Sequence, residues 1–240
     1  MTSFAENLAR VEEQIAQACR RANRPRAEVA LMAVSKTHPA SAIVEAVAAG
    51  LTLFGENRVQ EFQQKSEELA AAAANIEVHL IGQLQSNKSN KAAEIFAAVD
   101  SLDSLKLAQR LNEAAARLNK TLPVLLELKL SPEESKTGLE PNSPELANLL
   151  ERLPDLPNLK PSGLMTVPPW SEDPETARPY FRQLRELRDQ LAASYPSLNF
   201  EQLSIGMSGD FAIAIEEGST CIRIGTALFG KRPYPSKPED

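Results

Sequence analysis

Cysteine and histidine are scarce in this chain, which has two of each among its 240 residues. Cys19 and Cys221 lie far apart and form no CxxC pair, and no histidine cluster stands near either of them. Zinc and redox sites need such residues at short, regular spacings. We therefore expect no metal site and no disulfide, and we predict two buried thiols in a reducing compartment.

Long apolar runs and an excess of positive charge are also lacking. No run approaches the ~18 apolar residues of a membrane span, and the N-terminal residues lack the basic start and apolar core of a signal peptide. The net charge of −6 argues against nucleic-acid binding, because contacts to a phosphate backbone need a basic face. We expect a cytoplasmic protein with neither a nucleic-acid nor a membrane partner.

The sequence has instead a regular alternation of short apolar runs and helical stretches. An N-terminal amphipathic helix is predicted over residues 3–23, where apolar residues recur at helical spacing. The predicted strands are residues 29–35, 51–55, 77–82, 98–102, 123–130, 160–166, 202–207 and 221–225. The predicted helices between them are residues 39–50, 58–74, 89–97, 104–119, 144–153, 174–194 and 211–217.

These strands are apolar on both faces, which is typical of a parallel sheet covered by helices. The alternation is compatible with an open doubly wound sheet or with a closed barrel. Eight strands and this chain length favour a single-domain α/β protein, a (β/α)8 TIM barrel with an extra N-terminal helix. The barrel core is expected over residues 25–230, and residues 231–240 are expected to form a flexible tail.

Functional residues of such a barrel lie where its strands end at the carboxyl side. Lys36 is the most informative of them, because it follows an apolar strand and its stem should lie against the core. Burial favours the neutral form of an amine, and a neutral amine can attack an aldehyde to form a Schiff base. The alternative is a lysine that extends from the strand end into water. The other strand-end candidates are Glu56, Asn57, Gln83, Gln85, Met165, Thr166, Ser208, Gly209, Gly225 and Thr226.

The loops after strands seven and eight predict a phosphate site. Ser208 with Gly209, and Gly225 with Thr226, follow these two strands. Glycines allow close approach of a backbone to a ligand, free N–H groups at helix starts bind anions, and this pair of loops is the recurrent phosphate site of the fold. The alternative is that Ser208 caps its helix and the glycines only form turns.

Arg223 lies inside the last predicted strand between two isoleucines. A buried arginine must be paired or must serve a ligand, and the alternative to a ligand is an ion pair with a barrel carboxylate such as Glu56. His79 is expected to be a satisfied core histidine, His38 to be exposed, and Lys136 to be solvated.

Seven segments carry a resemblance to a known family. AVSKTHP, LFGENRVQE, HLIGQLQSNK, ESKTG, GLMT, LSIGMSGDF and RIGTALFG follow one another in this order. They resemble the pyridoxal phosphate (PLP) homeostasis protein family over almost the whole chain, from about residue 4 to residue 232. The resemblance implies the fold type III barrel of alanine racemase. It also implies that Lys36 carries PLP as an internal aldimine, that Arg223 faces the pyridine nitrogen, and that Asn57 and Met165 line the pocket. Its implied phosphate contacts are Ser208, Gly209, Gly225 and Thr226.

Family members are described as cofactor-handling proteins that affect vitamin B6 pools and amino-acid and keto-acid balance, without an established catalytic activity. An arginine does not give up its proton, so the pyridine nitrogen should stay unprotonated and the ring should be a weak electron sink. The related racemases also need a second domain with a tyrosine base, for which this chain is too short. We therefore expect a monomeric PLP-binding protein, with apo PLP-enzymes as candidate partners and Lys136 as a candidate second anchor.

Three other functions remain open from the residues. One is a PLP-dependent racemase or lyase acting on a small amino acid, which an activity screen would detect. Another is an aldolase-type barrel whose lysine forms a Schiff base without a cofactor and whose loops bind a sugar phosphate; it would be colourless. The third is an interaction protein with a vestigial pocket, which the intact lysine, arginine and glycines argue against.

Overall fold

The structure is a computed structural model that describes residues 3–69, 75–131, 133 and 137–230 of the chain. Eight parallel strands form a closed barrel in sequence order, in which the first strand pairs with the last. This confirms the closed (β/α)8 barrel and rules out the open sheet. The strands are β1 (Ala30–Val34), β2 (Leu53–Glu56), β3 (Glu77–Leu80), β4 (Ala98–Leu102), β5 (Leu122–Glu127), β6 (Leu159–Met165), β7 (Gln202–Ser204) and β8 (Cys221–Ile224).

The helices follow the predicted alternation, with one short addition after the last strand. Their bounds are α1 (Phe4–Arg21), α2 (Ala40–Ala48), α3 (Val59–Leu69), α4 (Ser89–Ile95), α5 (Leu105–Arg117), α6 (Pro144–Arg152), α7 (Arg178–Ser194), α8 (Phe211–Glu216) and α9 (Thr226–Phe229). The predicted extension of α3 through residues 70–74, Lys136 and the predicted tail 231–240 lie outside the described residues. Among the helices that the structure describes, none is long and apolar enough to cross a membrane.

The extra helix α1 is present and is built as its sequence predicts. A capping box starts it, in which the Ser3 hydroxyl accepts a hydrogen bond from the Glu6 N–H and the Glu6 carboxylate accepts one from the Ser3 N–H. Its buried face packs on α8 and α9. Asn7 also donates a hydrogen bond to the Leu228 carbonyl over 2.9 Å. The helix therefore ties the N-terminus to the last elements of the barrel.

The two faces of a barrel strand contact different parts of the protein, because successive side chains point to opposite faces. In β3, Val78 and Leu80 belong to the apolar core between barrel and helices. The intervening His79 lies on the opposite face, where its Nδ1 is 3.1 Å from the Asp100 carboxylate of β4 and its Nε2 is 2.9 Å from that of Glu77. The structure thus confirms that His79 lies within the sheet and that both of its ring nitrogens have hydrogen-bond partners.

His79 is held in its charged form by these two carboxylates. Burial alone would lower the pKa of His79, but the hydrogen bonds that it donates to Asp100 and Glu77 outweigh burial and raise that pKa to about 9. The unfolded chain should titrate near the ordinary value of about 6.5. The favourable contribution of His79 to folding is therefore complete below about pH 6.5 and is lost as the pH rises through about 9.

We predict that the free energy of unfolding of the wild type falls between pH 6 and pH 9.5 more than that of a His79→Gln variant. The expected difference is on the order of 2–3 kcal/mol, since one pKa unit corresponds to about 1.4 kcal/mol. Urea denaturation of both proteins across this range measures it. Parallel pH profiles of the two proteins would show that His79 is not a charged partner of Asp100 and Glu77.

Candidate functional site

A cavity of about 1040 Å³ opens at the carboxyl ends of the strands. Seven of the eight predicted site residues line it: Lys36, Asn57, Ser208, Gly209, Arg223, Gly225 and Thr226. Met165 does not, so its predicted place on the pocket wall needs correction. Met165 is the last residue of β6, in register with Glu127 of β5 and Ser204 of β7, and its side chain is completely covered.

The cavity carries an excess of positive charge, although the whole chain is acidic. Five cationic residues and three carboxylates are found among its described lining residues. They are Lys36, Arg58, Lys88, Lys129 and Arg223, and Glu127, Asp173 and Asp210. Cationic side chains gathered in a concave site attract anions, so the cavity suits a ligand with a phosphate or carboxylate group.

The segment around Lys36 leaves the barrel with a strained backbone. The Ser35 N–H still donates to the Gly55 carbonyl of β2 over 3.1 Å, and Lys36 follows as a partly buried residue of the cavity wall. Thr37 then has a φ of 66°, in the left-handed region that β-branched residues avoid. Such a conformation costs roughly 1–3 kcal/mol and persists only where the surroundings enforce it. The turn next to Lys36 is therefore a feature that the rest of the structure maintains.

The loops after β7 and β8 are joined by Ser208. Its hydroxyl accepts a hydrogen bond from the Ala227 N–H of α9 over 3.2 Å. The residue that precedes α8 is Asp210, so Ser208 is not the cap of that helix. The alternative interpretation of Ser208 as a simple helix cap is therefore wrong.

Gly209 is an exposed residue of the cavity wall in the loop after β7. A Cβ added there would have no atom of the described residues within 4 Å apart from its chain neighbours, and its φ does not lie in the left-handed region. Neither packing nor backbone conformation requires a glycine at this position. The open space above the Gly209 backbone is what a side chain would fill, and it leaves room for a ligand to contact the backbone.

Arg223 is 4% exposed, and neutral groups hold it. Its Nη1 donates to the carbonyl and the hydroxyl oxygen of Ser204, the latter over 2.8 Å, and its Nη2 donates to the Thr166 carbonyl over 2.9 Å. Its Nε makes no hydrogen bond within the described part of the chain. The alternative ion pair with Glu56 is wrong, because Glu56 pairs with Lys65 instead.

Three residues of the cavity wall differ from what the sequence indicated. His38 is half-buried rather than exposed, because its ring packs on that of Phe229 with the centroids 5.0 Å apart. Asp210 was not predicted as a site residue. It accepts a hydrogen bond from the Met207 N–H over 2.6 Å, and burial raises the pKa of its carboxyl.

Gly82 also was not predicted, and it allows the backbone of Asn57 to pass close by. A Cβ at position 82 would lie 2.4 Å from the Asn57 carbonyl oxygen.

Glu56 was a strand-end candidate, but it does not line the cavity. Its side chain lies on the opposite face of β2, fully buried, where its carboxylate accepts hydrogen bonds from Lys65 of α3 and from the Ser35 hydroxyl. Sequence reasoning missed Lys65 entirely, because nothing in a helix pattern shows that an amphipathic lysine points into the protein. Within the described residues, no group of three or more His, Cys, Asp or Glu residues could hold a metal ion.

Known proteins are similar to this chain in both sequence and fold. The family model of the alanine racemase N-terminal domain matches residues 7–233. The pyridoxal phosphate homeostasis protein of Aquifex aeolicus is 46% identical over 95% of this chain and 98% of its own length. That of Pasteurella multocida is 43% identical over 97% and 99%, respectively. The structure of PipY of Synechococcus elongatus with PLP bound is similar, with a TM-score of 0.81 and 40% identity over 95% of this chain and 100% of PipY.

The closed parallel barrel and the match of the family model over residues 7–233 place the chain in the class of the alanine racemase N-terminal domain. Within this class, two pyridoxal phosphate homeostasis proteins match almost the whole chain at more than 40% identity, which identifies the family. The chain belongs to the pyridoxal phosphate homeostasis protein family.

Proposed function

We propose that this protein binds PLP as a Schiff base on Lys36 and takes part in intracellular PLP homeostasis without catalysing a reaction on it. One observation carries the proposal: Lys36 shares a single positively charged cavity with the Ser208–Gly209 and Gly225–Thr226 loops and with Arg223. The PLP bound to the related PipY supports it.

The residues present fit this cofactor. The open space above Gly209 suits a phosphate group, because no side chain of the described residues fills it and Ser208 and Thr226 line the same cavity. The Nε of Arg223 makes no hydrogen bond within the described residues, so it could donate one to a nitrogen acceptor on an aromatic ring. Lys36 supplies the amine at the same cavity.

Each group has a distinct task in this assignment. Ser208, Gly209, Gly225 and Thr226 would hold the phosphate, and Arg223 would orient the ring by donating to its nitrogen. When bound, PLP supplies an aldehyde that condenses with an amine, so that a C=N bond replaces the C=O bond and one water molecule leaves. Lys36 provides that amine from a fixed backbone.

The same arrangement supports a binding role over a catalytic one. Arg223 keeps its proton, so it cannot transfer one to the ring nitrogen, and an unprotonated ring is a poor electron sink. No tyrosine is found among the described residues of the cavity wall, so the base that a racemase uses has no counterpart there. Incubation with alanine in D2O is expected to leave its α-proton unexchanged, and rapid exchange would favour a racemase or lyase.

The cellular role that we propose is that of a monomeric cytoplasmic protein that holds PLP and exchanges it with apo PLP-enzymes. An open cavity at the barrel rim supports exchange, because Lys36 lines it and is only partly buried. Size-exclusion chromatography and transfer of PLP to an apo-aminotransferase would test these two points separately.

We predict that Lys36→Ala abolishes the visible absorbance band that wild-type protein develops with PLP, because no other amine is fixed at that position. Borohydride reduction followed by peptide mass spectrometry should place the pyridoxyl group on Lys36 in the wild type. Lys129→Ala is the matched control, since Lys129 lines the same cavity but has no assigned role. A full covalent yield in Lys36→Ala would contradict the assignment, and a pyridoxyl mass on Lys136 would identify that residue as a second anchor.

We predict that Gly209→Ala weakens PLP binding by roughly tenfold or more, because its methyl group takes the space assigned to the phosphate and displaces charge-assisted hydrogen bonds. Binding of pyridoxal, which has no phosphate, should change little. Thermal stability should be unaffected, since the added Cβ meets no protein atom. Equal losses for PLP and pyridoxal would show that the phosphate does not lie above Gly209.

A further inference from the structure

A cluster of three charged residues, two of them buried, lies behind Lys36, between the barrel wall and α3. We call it the Lys65 cluster: Lys65 with Glu56 and Glu61. The Lys65 Nζ is 2.7 Å from a carboxylate oxygen of Glu56, 2.7 Å from one of Glu61 and 2.9 Å from the Ser35 carbonyl oxygen. All three N–H groups of the ammonium are therefore used, and none of these three residues lines the cavity.

The Lys65 cluster binds the backbone on both sides of Lys36. On the N-terminal side, the Ser35 carbonyl accepts from Lys65 and the Ser35 hydroxyl donates to Glu56 over 2.7 Å. On the C-terminal side, the Thr37 N–H donates over 2.5 Å to the same Glu61 oxygen that accepts from Lys65. The residues before and after Lys36 are thus tied to one ammonium group and its two carboxylates.

This connection explains the left-handed backbone of Thr37. A threonine with a φ of 66° needs surroundings that hold it in place. The Glu61 carboxylate provides them, because it accepts the Thr37 N–H and is itself fixed by Lys65. Releasing Glu61 should let the peptide after Lys36 relax and change the direction in which the Lys36 side chain leaves the barrel.

The composition of the Lys65 cluster is poorly suited to a purely stabilising role. Glu56 is fully buried, and its second oxygen makes no hydrogen bond with any residue that the structure describes. Burial raises the pKa of Glu56 despite its contact with Lys65. Buried ion pairs contribute little net stability compared with apolar residues of similar size, so what this cluster supplies is a fixed geometry at Ser35 and Thr37.

We propose that the Lys65 cluster is a positioning device that sets the orientation of Lys36 for condensation with the PLP aldehyde. The proposal rests on the proposed Schiff base at Lys36. In that step the Lys36 nitrogen attacks the aldehyde carbon, a C=N bond forms and water leaves. Glu61 and Lys65 act through the backbone of Ser35 and Thr37, so they are positioning residues that affect how fast and how fully the bond forms.

The test separates positioning from folding and from cofactor capture. Stopped-flow absorbance at increasing PLP concentrations gives a maximal rate of Schiff base formation and a half-saturating concentration. Glu61→Ala is expected to lower the maximal rate about tenfold or more, as misplacement of a reacting group does. The half-saturating concentration should stay near that of the wild type, because the phosphate loops are untouched.

Matched variants control for other effects. Glu68 is exposed on the same helix and has no ion pair within the described residues, so Glu68→Ala should react as the wild type does. Glu61→Gln keeps an acceptor oxygen for Thr37 and should stay within about twofold of the wild type. Lys65→Met should also be slow, but it leaves Glu56 buried without its cation and will lower Tm. Glu61, whose side chain is 25% exposed, is therefore the primary position for mutation.

The possible failures are distinguishable. If wild-type protein forms no Schiff base at Lys36, the proposed function fails, and the positioning role fails with it. If the wild type forms it and Glu61→Ala reaches the same maximal rate, the proposed function stands and the positioning role is overturned. A slowing that Glu68→Ala shares, or that appears only as weaker half-saturation, would equally overturn it.

Discussion

Hydrogen bonds between β1 and β8 close the barrel, and the site depends on them. Ala30 pairs with Cys221, and the register continues to Ala33 opposite Ile224. Since β1 ends at Val34, this register carries Lys36 to the same rim as Gly225 and Thr226, although almost the whole chain separates them in sequence. If the same strand order were left open between β1 and β8, these two strands would be opposite edges of the sheet, and Lys36 would lie far from Gly225 and Thr226.

Charged groups are also buried around the site, and polar contacts offset their loss of hydration. The rim contains a buried arginine bound by backbone carbonyls and by Ser204, and behind it a buried lysine shared by two carboxylates. Such groups lose hydration and contribute less to stability than apolar packing would. Their presence beside Lys36 and the two glycine loops is the local departure from an apolar core that marks a functional site.

Much of the fold could be predicted from the sequence, because the strands are short, mainly apolar runs that alternate regularly with amphipathic helical stretches. The rule that function lies at the carboxyl ends of the strands then identified most of the cavity. Side-chain direction was harder, since moving a strand end by one residue exchanges the two faces. Glu56 and Asn57 are neighbours, yet only Asn57 lines the cavity.

The remaining features depend on tertiary contacts that no local pattern encodes. The left-handed Thr37 and its bond to Glu61 join residues of different elements. Gly82 is required by the nearby Asn57 carbonyl rather than by a turn of its own. Met165 ends its strand as a pocket residue should, but its side chain is fully buried and does not line the cavity.

A crystal structure of the protein after reaction with PLP and borohydride would show whether Lys36 holds the cofactor in the cavity. We expect continuous density from the Lys36 Nζ to the pyridoxyl ring, with the ring nitrogen facing the Arg223 guanidinium. We also expect the phosphate between the Ser208–Gly209 and Gly225–Thr226 loops. A pyridoxyl group on another lysine of the cavity, or a phosphate outside these two loops, would contradict this assignment.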